Sequence, residues 1–260
     1  MRIAVLYICT GVYSQFFEGF YHSAEKFFLP GEDKEYFVWT DHDDLGDLGN
    51  NIHIYHRECA GFPADSLFRF EMFLEAKSAW MQLDYVYFFN ANMEFKQVVG
   101  PEILPDDRGL VSAYWPGRRM TEAPMFHPYE RNKASLAYIA PHDPPYHYYM
   151  AGLNGGNVYL YSLFVEELAH NIRDDYDRGI VARVHDESHI NKYFHSHPSK
   201  VMPKEYCWPE EWPISGFEPK VILRDKVRLN SYYNKGRKRS FLAYAKKGWK
   251  KIYNAVSWYF

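Results

Sequence analysis

Two asparagines that follow a predicted strand have the residue types and spacing closest to a binding site in this chain. Asn90 and Asn92 come directly after residues 85–89, an apolar run typical of a buried strand. Aspartates at this i and i+2 spacing commonly hold a divalent metal on the diphosphate of a nucleotide sugar. Asparagine has the same shape and reach but no charge. A diphosphate bound here therefore requires Lys, Arg or oriented N–H groups to neutralise it.

A second group of candidate residues combines acids with histidines. His185 and His189 have the i and i+4 spacing of zinc ligands on a helix, and His195 or His197 offers a third ligand. The zinc protease pattern has Glu directly after the first histidine, where this chain has Asp186. Zinc-dependent hydrolysis is therefore an alternative and not the leading interpretation.

The elements that must hold these residues alternate between strands and helices in the first half of the chain. Such alternation predicts an α/β fold with a mostly parallel sheet flanked by helices, in which ligands bind beyond the carboxyl ends of the strands. Asn90 and Asn92 lie at such an end, and Asp65 is predicted to cap the second helix. The predicted strands cover 2–9, 35–40, 51–56 and 85–89, and the predicted helices cover 16–28 and 67–81.

The second half of the chain has weaker periodicity and more Pro, His and Gly. Residues 114–145 are predicted to form long loops over the cleft. Residues 152–156 are interpreted as a flexible glycine turn, followed by a strand over 157–161 and a helix over 163–171. A further helix begins near Asp186, which is a candidate N-cap.

Composition and cysteine usage predict a cytoplasmic protein with a sizeable core. The chain has 260 residues, of which 47% are hydrophobic and 24% charged, as in ordinary soluble proteins. Its three cysteines, Cys9, Cys59 and Cys207, are too few and too scattered for a disulfide framework, which predicts reduced thiols. The N-terminal pattern does not predict a signal peptide, and no apolar run is long enough to predict a membrane span.

Basic residues are concentrated at the C-terminus. Residues 236–260 hold seven of the 30 Lys and Arg residues and no acid, whereas the rest of the chain has 23 basic against 33 acidic residues. This acidic surplus predicts that nucleic acid is not a partner of the main domain. We therefore divide the chain into a main domain, 1–235, and a basic tail, 236–260.

The basic tail has the pattern of an amphipathic helix. At 100° per residue its apolar side chains cover one arc of about 120°, and the lysines lie outside it. This pattern is typical of a helix on an anionic lipid surface, which would make the protein peripheral on the inner face of the membrane. A helix packed against the acidic main domain is the alternative. The apolar arc consists of Phe241, Leu242, Ala245, Trp249, Ile252, Tyr253, Val256 and Phe260.

Four segments of the chain resemble glycosyltransferase family 6, which holds the histo-blood-group A and B transferases and α-1,3-galactosyltransferase. The blocks occur in the family's order over residues 3–230, and the Asn-x-Asn pair resembles its bacterial branch. The four segments are Ile8-Cys9-Thr10 with Tyr13 and the Ala24-Glu25-Lys26 helix, Asp65-Ser66 with Arg69 and Glu71-Met72, LDYVYFFNANMEF at 83–95, and HDESHINKYF at 185–194 with KVMPKEYCW at 200–208.

This resemblance implies a retaining glycosyltransferase of the GT-A fold. It would move N-acetylgalactosamine or galactose from a UDP donor to the 3-hydroxyl of a galactose-terminated, fucosylated acceptor, making an α-1,3 linkage. It would use no divalent metal or other cofactor, because Asn-x-Asn stands where metal-dependent members have Asp-x-Asp. A carbohydrate-binding protein that kept the fold and lost turnover is the non-catalytic alternative.

The resemblance also implies a role for each matched position. Glu187 matches the catalytic glutamate and would act, beside the acceptor, as nucleophile or as stabiliser of an oxocarbenium-like sugar. Trp115 and Trp208 are candidate platforms for the acceptor sugar. The implied donor site comprises Ile8, Cys9, Thr10 and Tyr13 at the uridine, Asp65 and Arg69 at the ribose and sugar, Asn90 and Asn92 at the ribose and diphosphate, Met150, Ala151 and Gly152 as the donor-selecting triplet, His185 and Asp186 at the sugar, and Lys226 over the diphosphate.

Gly152, the third residue of that triplet, favours N-acetylgalactosamine as the donor sugar. In the family, a small residue here leaves room for an acetamido group, whereas a larger one favours galactose. A difference of methyl size discriminates between substrates by about 1–3 kcal/mol, so this preference is moderate.

Deletion of residues 236–260 is predicted to abolish binding to anionic vesicles, because the tail supplies both the apolar arc and the basic face. On the sequence alone, catalysis is expected to remain intact. Cosedimentation of full-length and truncated protein with phosphatidylserine vesicles measures lipid binding, and neutral phosphatidylcholine vesicles are the control. Equal binding of the two proteins to anionic vesicles would refute the role of the tail.

Overall fold

A computed structural model describes residues 1–46, 48–116, 123–229, 256 and 258–259. A 3₁₀ turn, Gly11–Phe16, leads into the first helix. Over this part of the chain the strands and helices are, in order, β1 (Arg2–Ile8), α1 (Phe17–Phe27), β2 (Asp33–Thr40), β3 (Ile52–His56), α2 (Ala64–Leu67), α3 (Arg69–Glu75), α4 (Lys77–Trp80), β4 (Tyr85–Phe89), β5 (Met93–Phe95), β6 (Leu110–Tyr114), β7 (Tyr149–Asn157), α5 (Val158–Asp177), α6 (His185–Ser196), β8 (Lys200–Met202), β9 (Trp208–Pro209), β10 (Val221–Leu223) and α7 (Lys226–Leu229).

The central sheet, within the described residues, has seven strands in the order β3-β2-β1-β4-β7-β6-β8. Neighbouring strands are parallel except around β7, which runs antiparallel to β4 and β6. β1 and β4 are apolar and buried along most of their length, as expected for central strands covered on both faces. A smaller sheet consists of β5, β10 and β9. The predicted α/β architecture with a mostly parallel sheet is therefore confirmed.

Aromatic side chains fill the core on both faces of the central sheet. On one face, α1 packs Phe17 and Phe20 against Tyr7 of β1, with 4.4 Å between the ring centroids of Tyr7 and Phe20. On the other face, α3 and α5 contribute Phe73 and Phe164, both fully buried. Much of the high aromatic content of the chain therefore serves to build the core.

The prediction of a glycine turn followed by a strand over 157–161 is wrong. Residues 149–157 form β7, and α5 begins directly after it, N-capped by Asn157, whose side chain accepts the Leu160 N–H at 2.8 Å. The glycines reflect close strand packing. A Cβ on Gly155 would lie 2.6 Å from the Val86 carbonyl oxygen, so only glycine fits between these strands.

The predicted helix over 67–81 is divided into three short helices, α2, α3 and α4. Its predicted cap is also wrong, because α2 begins at Ala64 and Asp65 lies inside its first turn. The breaks fall at Phe68 and Ala76, whose backbone leaves the helical region. The division turns Arg69, the first residue of α3, towards the sheet, where it is buried.

The boundary predicted at residue 235 and almost all of the tail lie outside the described residues. Of residues 236–260, the structure describes Val256, Trp258 and Tyr259. In the part of the chain that is described, no helix combines the length and apolar character needed to cross a membrane.

Candidate active site

The carboxyl ends of β1 and β4, the amino end of β7 and the first turn of α6 surround a cavity of 840 Å³. Ligands of α/β proteins bind at such strand ends, and ligand cavities commonly measure about 300–1,000 Å³. The cavity brings together most of the residues selected from the sequence. These residues are Ile8, Thr10, Tyr13, Asp65, Arg69, Asn90, Asn92, Trp115, Met150, Ala151, Gly152, His185, Asp186, Glu187 and Lys226.

Glu187 is a buried carboxylate on the wall of this cavity, in the first turn of α6. Its Oε1 accepts a hydrogen bond from the Tyr148 hydroxyl at 2.6 Å. Its Oε2 accepts from Trp115 Nε1 at 2.8 Å and from the Ala151 N–H at 3.0 Å. Burial raises the pKa of Glu187 above its usual value, although these three hydrogen bonds act to lower it. The carboxylate is therefore held in one orientation and is harder to ionise than an exposed glutamate.

Two neighbouring strand ends bring the side-chain donors to this carboxylate. Trp115 directly follows β6 and Tyr148 directly precedes β7, and the Trp115 N–H donates to the Tyr148 carbonyl at 3.0 Å. On the helix side, His185 has a φ of +51°, in the left-handed region that few non-glycine residues adopt. The Val184 N–H donates to Ser188 Oγ at 2.9 Å and fixes the helix start. The positive end of the helix dipole favours carboxylates in this turn.

A buried ion pair joins three elements around the cavity. Arg69 of α3 lies 2.6 Å from Asp186 of α6, and its Nη1 donates to the carbonyl of Ala151 in β7 at 3.0 Å. The guanidinium also lies over the Phe88 ring, 4.6 Å from its centroid. Burial raises the pKa of Asp186, and Arg69 acts in the opposite direction. Asp186 does not cap the helix, because Val184 occupies the N-cap position.

The two asparagines form a hydrogen-bonded link between β4 and the segment after β10. Asn92 Nδ2 donates to the Arg224 carbonyl at 2.9 Å, and Asn90 Nδ2 donates to Asn92 Oδ1 at 2.8 Å. The Arg224 N–H donates in return to the Asn92 carbonyl at 2.7 Å. Because a carbonyl oxygen only accepts, the first bond requires an amide N–H and fixes the orientation of both side chains. A carboxylate at position 92 would instead face this carbonyl with a negative charge.

Lys226 lies two residues beyond that link and lines the cavity. Its Nζ donates to the Tyr13 hydroxyl at 3.3 Å and lies 5.3 Å from the centroid of the same ring. Burial lowers the pKa of Lys226, and the nearby charge of Arg69 adds to this effect. Within the described ranges, no carboxylate lies at ion-pair distance from this ammonium. A half-buried ammonium with no carboxylate partner among the described residues is suited to bind an anion such as a phosphate.

Gly152 packs against the asparagine turn. Its carbonyl accepts the Asn90 N–H at 2.8 Å. A Cβ on Gly152 would lie 3.1 Å from Asn90 Cβ and 2.8 Å from the terminal methyl of Met150. The flexible end of Met150 can move, whereas Asn90 is held by its hydrogen bonds. A small residue at this position therefore serves the packing of Asn90 in addition to any space for a donor sugar.

Asp65 lines the cavity, but its carboxylate already accepts several hydrogen bonds. The donors are the Thr10 hydroxyl at 2.9 Å, the Ala60 N–H at 3.1 Å and the Gly61 N–H at 3.0 Å. Asp65 therefore ties the loop before α2 to the end of β1, whatever contact it makes with a donor.

Two of the selected residues do not line the cavity. Successive strand residues point to opposite faces, so Ile8 faces the cavity and the Cys9 side chain is buried in the core. The donor-binding role of Cys9 stays a prediction. Trp208 packs against Trp212 and Phe217, with ring centroids 5.5 and 4.8 Å away, outside the cavity lining. Its acceptor role stays a prediction.

The histidines of the zinc alternative are not arranged as a ligand set. His185 lines the cavity, whereas His189 is buried with its Nε2 3.6 Å from Asp175 Oδ2, and burial lowers the pKa of His189 to about 4. His195 and His197 each contact a backbone carbonyl, at 2.6 and 3.0 Å. Among the described residues, no group of three His, Cys, Asp or Glu side chains is placed to hold a metal ion.

Two residues of the site were missed from the sequence. Tyr148 touches Glu187, and its position two residues before Met150, the start of the triplet, was the one available signal. Phe62 is 75% exposed at the cavity, edge-on to the His185 ring with 4.9 Å between centroids. It lies in a loop without periodicity, which gives no signal for its position.

The chain has the fold of a GT-A type glycosyltransferase, with a mostly parallel central sheet and a cavity at its strand ends. The family model of glycosyltransferase family 6 matches residues 1–230, so the chain belongs to this family and the resemblance drawn from the sequence is confirmed. The family and its members establish the chain as a hexosyltransferase.

Three relatives illustrate the similarity. The chain is 30% identical to the O-antigen biosynthesis glycosyltransferase WbnI of Escherichia coli over 236 residues, which are 90% of this chain and 99% of that protein. It is 31% identical to globoside alpha-1,3-N-acetylgalactosaminyltransferase 1 of Homo sapiens, over 82% of this chain and 62% of that protein. It is 32% identical to histo-blood group ABO system transferase 1 of Rattus norvegicus, over 77% of this chain and 60% of that protein. The chain thus spans less than two thirds of these two animal relatives.

The raised pKa of Glu187 predicts an unusual acid limb in the pH dependence of activity. If the ionised carboxylate is required, kcat/KM falls as the pH drops through this pKa, which lies above the ordinary value of about 4.3. Glu187→Gln is expected to lower kcat by about 100-fold or more at all pH values. A pH–rate profile of the wild type measures the limb. A limb at or below the ordinary glutamate value would contradict the assignment.

Asn92→Asp is expected to destabilise the protein by about 1–3 kcal/mol, because it leaves the Arg224 carbonyl without its donor. Denaturant unfolding measures this loss. Asn50→Asp, which adds the same charge at an exposed position, is the matched control. Neither Asn92→Asp nor Asn90→Asp is expected to gain turnover with manganese. Wild-type stability or manganese-stimulated activity in Asn92→Asp would count against the structural link.

Proposed function

We propose that this protein transfers N-acetylgalactosamine, or galactose, from its UDP-sugar to the 3-hydroxyl of a galactose-terminated, fucosylated acceptor. The transfer retains the anomeric configuration, forms an α-1,3 linkage and uses no divalent metal or other cofactor. One observation carries the proposal: a single cavity contains an oriented buried carboxylate, Glu187, and an ammonium without a carboxylate partner among the described residues, Lys226.

Glu187 meets the positive charge that develops on the sugar ring as its bond to UDP breaks. In a double displacement its carboxylate attacks the anomeric carbon as UDP leaves and forms a glycosyl–enzyme. The acceptor hydroxyl then attacks the same carbon, displaces the carboxylate and loses its proton. In a front-face reaction the same carboxylate stabilises the oxocarbenium-like state from below. Tyr148, Trp115 and the Ala151 N–H hold it in place for either route, so no reorientation is needed during the reaction.

Lys226 meets the negative charge that develops on the departing diphosphate. Its ammonium lies on the cavity beside Tyr13, the residue assigned to the uridine. The amides of Asn90 and Asn92 are already bound to each other and to Arg224, which leaves a neutral pair where metal-dependent enzymes need carboxylates. A fixed cation next to neutral amides supports transfer without a metal.

The donor and acceptor assignments rest on Gly152 and on the relatives. Gly152 supports an N-acetylated donor, and one relative is a globoside alpha-1,3-N-acetylgalactosaminyltransferase. The fucosylated, galactose-terminated acceptor is the one that the family resemblance implies, and two of the relatives are named as histo-blood group ABO system transferases. Trp115 lines the cavity and can present its ring to the acceptor while its Nε1 holds Glu187.

The basic tail supports a cytoplasmic location at the inner face of the membrane as a further part of the proposal. Val256, one member of the predicted apolar arc, is 49% exposed and available to lipid. The lysines of residues 236–260 would supply the attraction to anionic headgroups.

The wild-type protein is expected to keep full activity in excess EDTA, because the proposal assigns the diphosphate charge to Lys226. Lys226→Ala is expected to lower kcat by about 100-fold, and Lys226→Arg to retain part of the activity, since arginine keeps the charge. UDP release from UDP-N-acetylgalactosamine with a fucosylated galactoside measures both effects, and linkage analysis of the product tests the α-1,3 bond.

Lys133→Ala, at an exposed position, is the matched control for removal of a positive charge. Loss of most wild-type activity in EDTA would overturn the metal-free proposal. Full activity of Lys226→Ala would show that another group carries the diphosphate charge. Absence of any UDP release above the hydrolysis background, with either donor, would instead favour a carbohydrate-binding protein.

A further inference from the structure

Trp258, two residues from the end of the sequence, is buried in an aromatic pocket of the main domain. It is 5% exposed, and its Nε1 donates to the Ile139 carbonyl at 3.0 Å. Its ring centroid lies 5.9 Å from that of Tyr129 and 5.8 Å from that of Tyr146. The guanidinium of Arg131 lies 5.3 Å from its ring centroid. A buried indole with its N–H bonded is a specific anchor and not a chance surface contact.

The aromatic side chains around Trp258 are connected by contacts to Glu187, the catalytic carboxylate of the proposed function. Tyr129 packs on Tyr148 with 5.7 Å between ring centroids, and its hydroxyl donates to the His147 carbonyl at 2.7 Å. Tyr148 in turn donates its hydroxyl to Glu187. Trp258, Tyr129 and Tyr148 are members of one buried cluster. Three aromatic side chains therefore connect the end of the chain to the group that holds Glu187.

We propose that Trp258 is a positioning residue for the transfer reaction: by closing the aromatic cluster it keeps the Tyr148 hydroxyl against Glu187. This inference rests on the proposed function only in treating Glu187 as the catalytic carboxylate. Without Trp258, Tyr129 loses packing on one side and the Tyr148 ring gains freedom to rotate away. The carboxylate then keeps two of its three donors, the Trp115 Nε1 and the Ala151 N–H.

This role assigns the C-terminal tail a second task besides the predicted lipid contact. Val256 belongs to the apolar arc and is exposed, whereas Trp258 lies outside that arc and is buried. On a helical wheel the two positions are about 160° apart, which agrees with the exposure of Val256 beside the buried Trp258. Deletion of residues 236–260 is accordingly expected to reduce catalysis as well as lipid binding, which replaces the expectation from the sequence alone.

The pH dependence of kcat distinguishes this role from general stabilisation, because Tyr148 tunes the ionisation of Glu187. The hydrogen bond from Tyr148 lowers the pKa of Glu187 against the effect of burial, and loss of the bond moves the acid limb to higher pH. Other titratable groups at this wall of the cavity are His185 and Asp186 on α6, with Arg69 paired to Asp186. These groups are unchanged in the variants below.

Full-length Trp258→Ala is expected to lower kcat about threefold to tenfold, with the donor KM unchanged and the acid limb shifted to higher pH. Tyr148→Phe should shift the limb in the same direction and lower kcat about tenfold or more. Trp258→Phe, which keeps a ring in the pocket, should retain more activity than Trp258→Ala and serves if the alanine variant folds poorly. Tyr159→Ala, which removes an exposed aromatic ring from α5 outside the cavity lining, is the matched control, and thermal unfolding checks the fold of every variant.

The double variant Trp258→Ala with Tyr148→Phe gives the sharpest outcome. If Trp258 acts through Tyr148, the double variant has the kcat and acid limb of Tyr148→Phe alone. Additive losses, or a wild-type kcat and acid limb in Trp258→Ala, would overturn the positioning role. Glu187→Gln, measured in parallel, tests the proposed function separately. Full activity of Glu187→Gln would remove the catalytic role of Glu187 itself. An inactive Glu187→Gln beside a fully active Trp258→Ala would contradict only the inference about Trp258.

Discussion

The hydrogen bond from the Asn92 amide to the Arg224 carbonyl is the constraint on which the cavity depends. It joins the end of β4, in the central sheet, to the end of β10, in the smaller sheet, and Lys226 follows two residues later. A carboxylate in the same place would repel the carbonyl that this amide binds. Together with the backbone pairing of β5 and β10, this amide holds the segment that leads to Lys226 at the cavity, and it keeps the strand end neutral.

The cavity separates two charges that a glycosyl transfer needs at different places. Glu187 lies in the first turn of α6, held by donors from the ends of β6 and β7, whereas Lys226 lies beside Tyr13, beyond the end of β10. Between them, the Arg69–Asp186 pair neutralises itself and ties α3 to α6. The burial that raises the pKa of Glu187 and lowers that of Lys226 also excludes water, which strengthens the interaction of either charge with a reacting sugar nucleotide.

The sequence predicted those parts of the fold and site that depend on local pattern. β1, β2 and β4 each contain an apolar run, and these runs located the strands to within one or two residues. The start of α5 was misplaced because Gly155 and Gly156 reflect close contact between strands, which a single sequence does not reveal. The burial of the Cys9 side chain was not foreseen because the resemblance matched sequence positions and not the alternation of the strand. The contacts of Tyr148 and Trp258 join residues distant in sequence, and no local pattern contains them.

The most direct measurement of the central claim is a crystal structure of the protein with UDP, grown with manganese and recorded at an X-ray energy where manganese scatters anomalously. Our account predicts that Lys226 Nζ forms an ion pair with a diphosphate oxygen, that the Asn92–Arg224 hydrogen bond persists, and that the anomalous map is flat beside the diphosphate. An anomalous peak between the α and β phosphates, bound by Asn90 or Asn92, would contradict it.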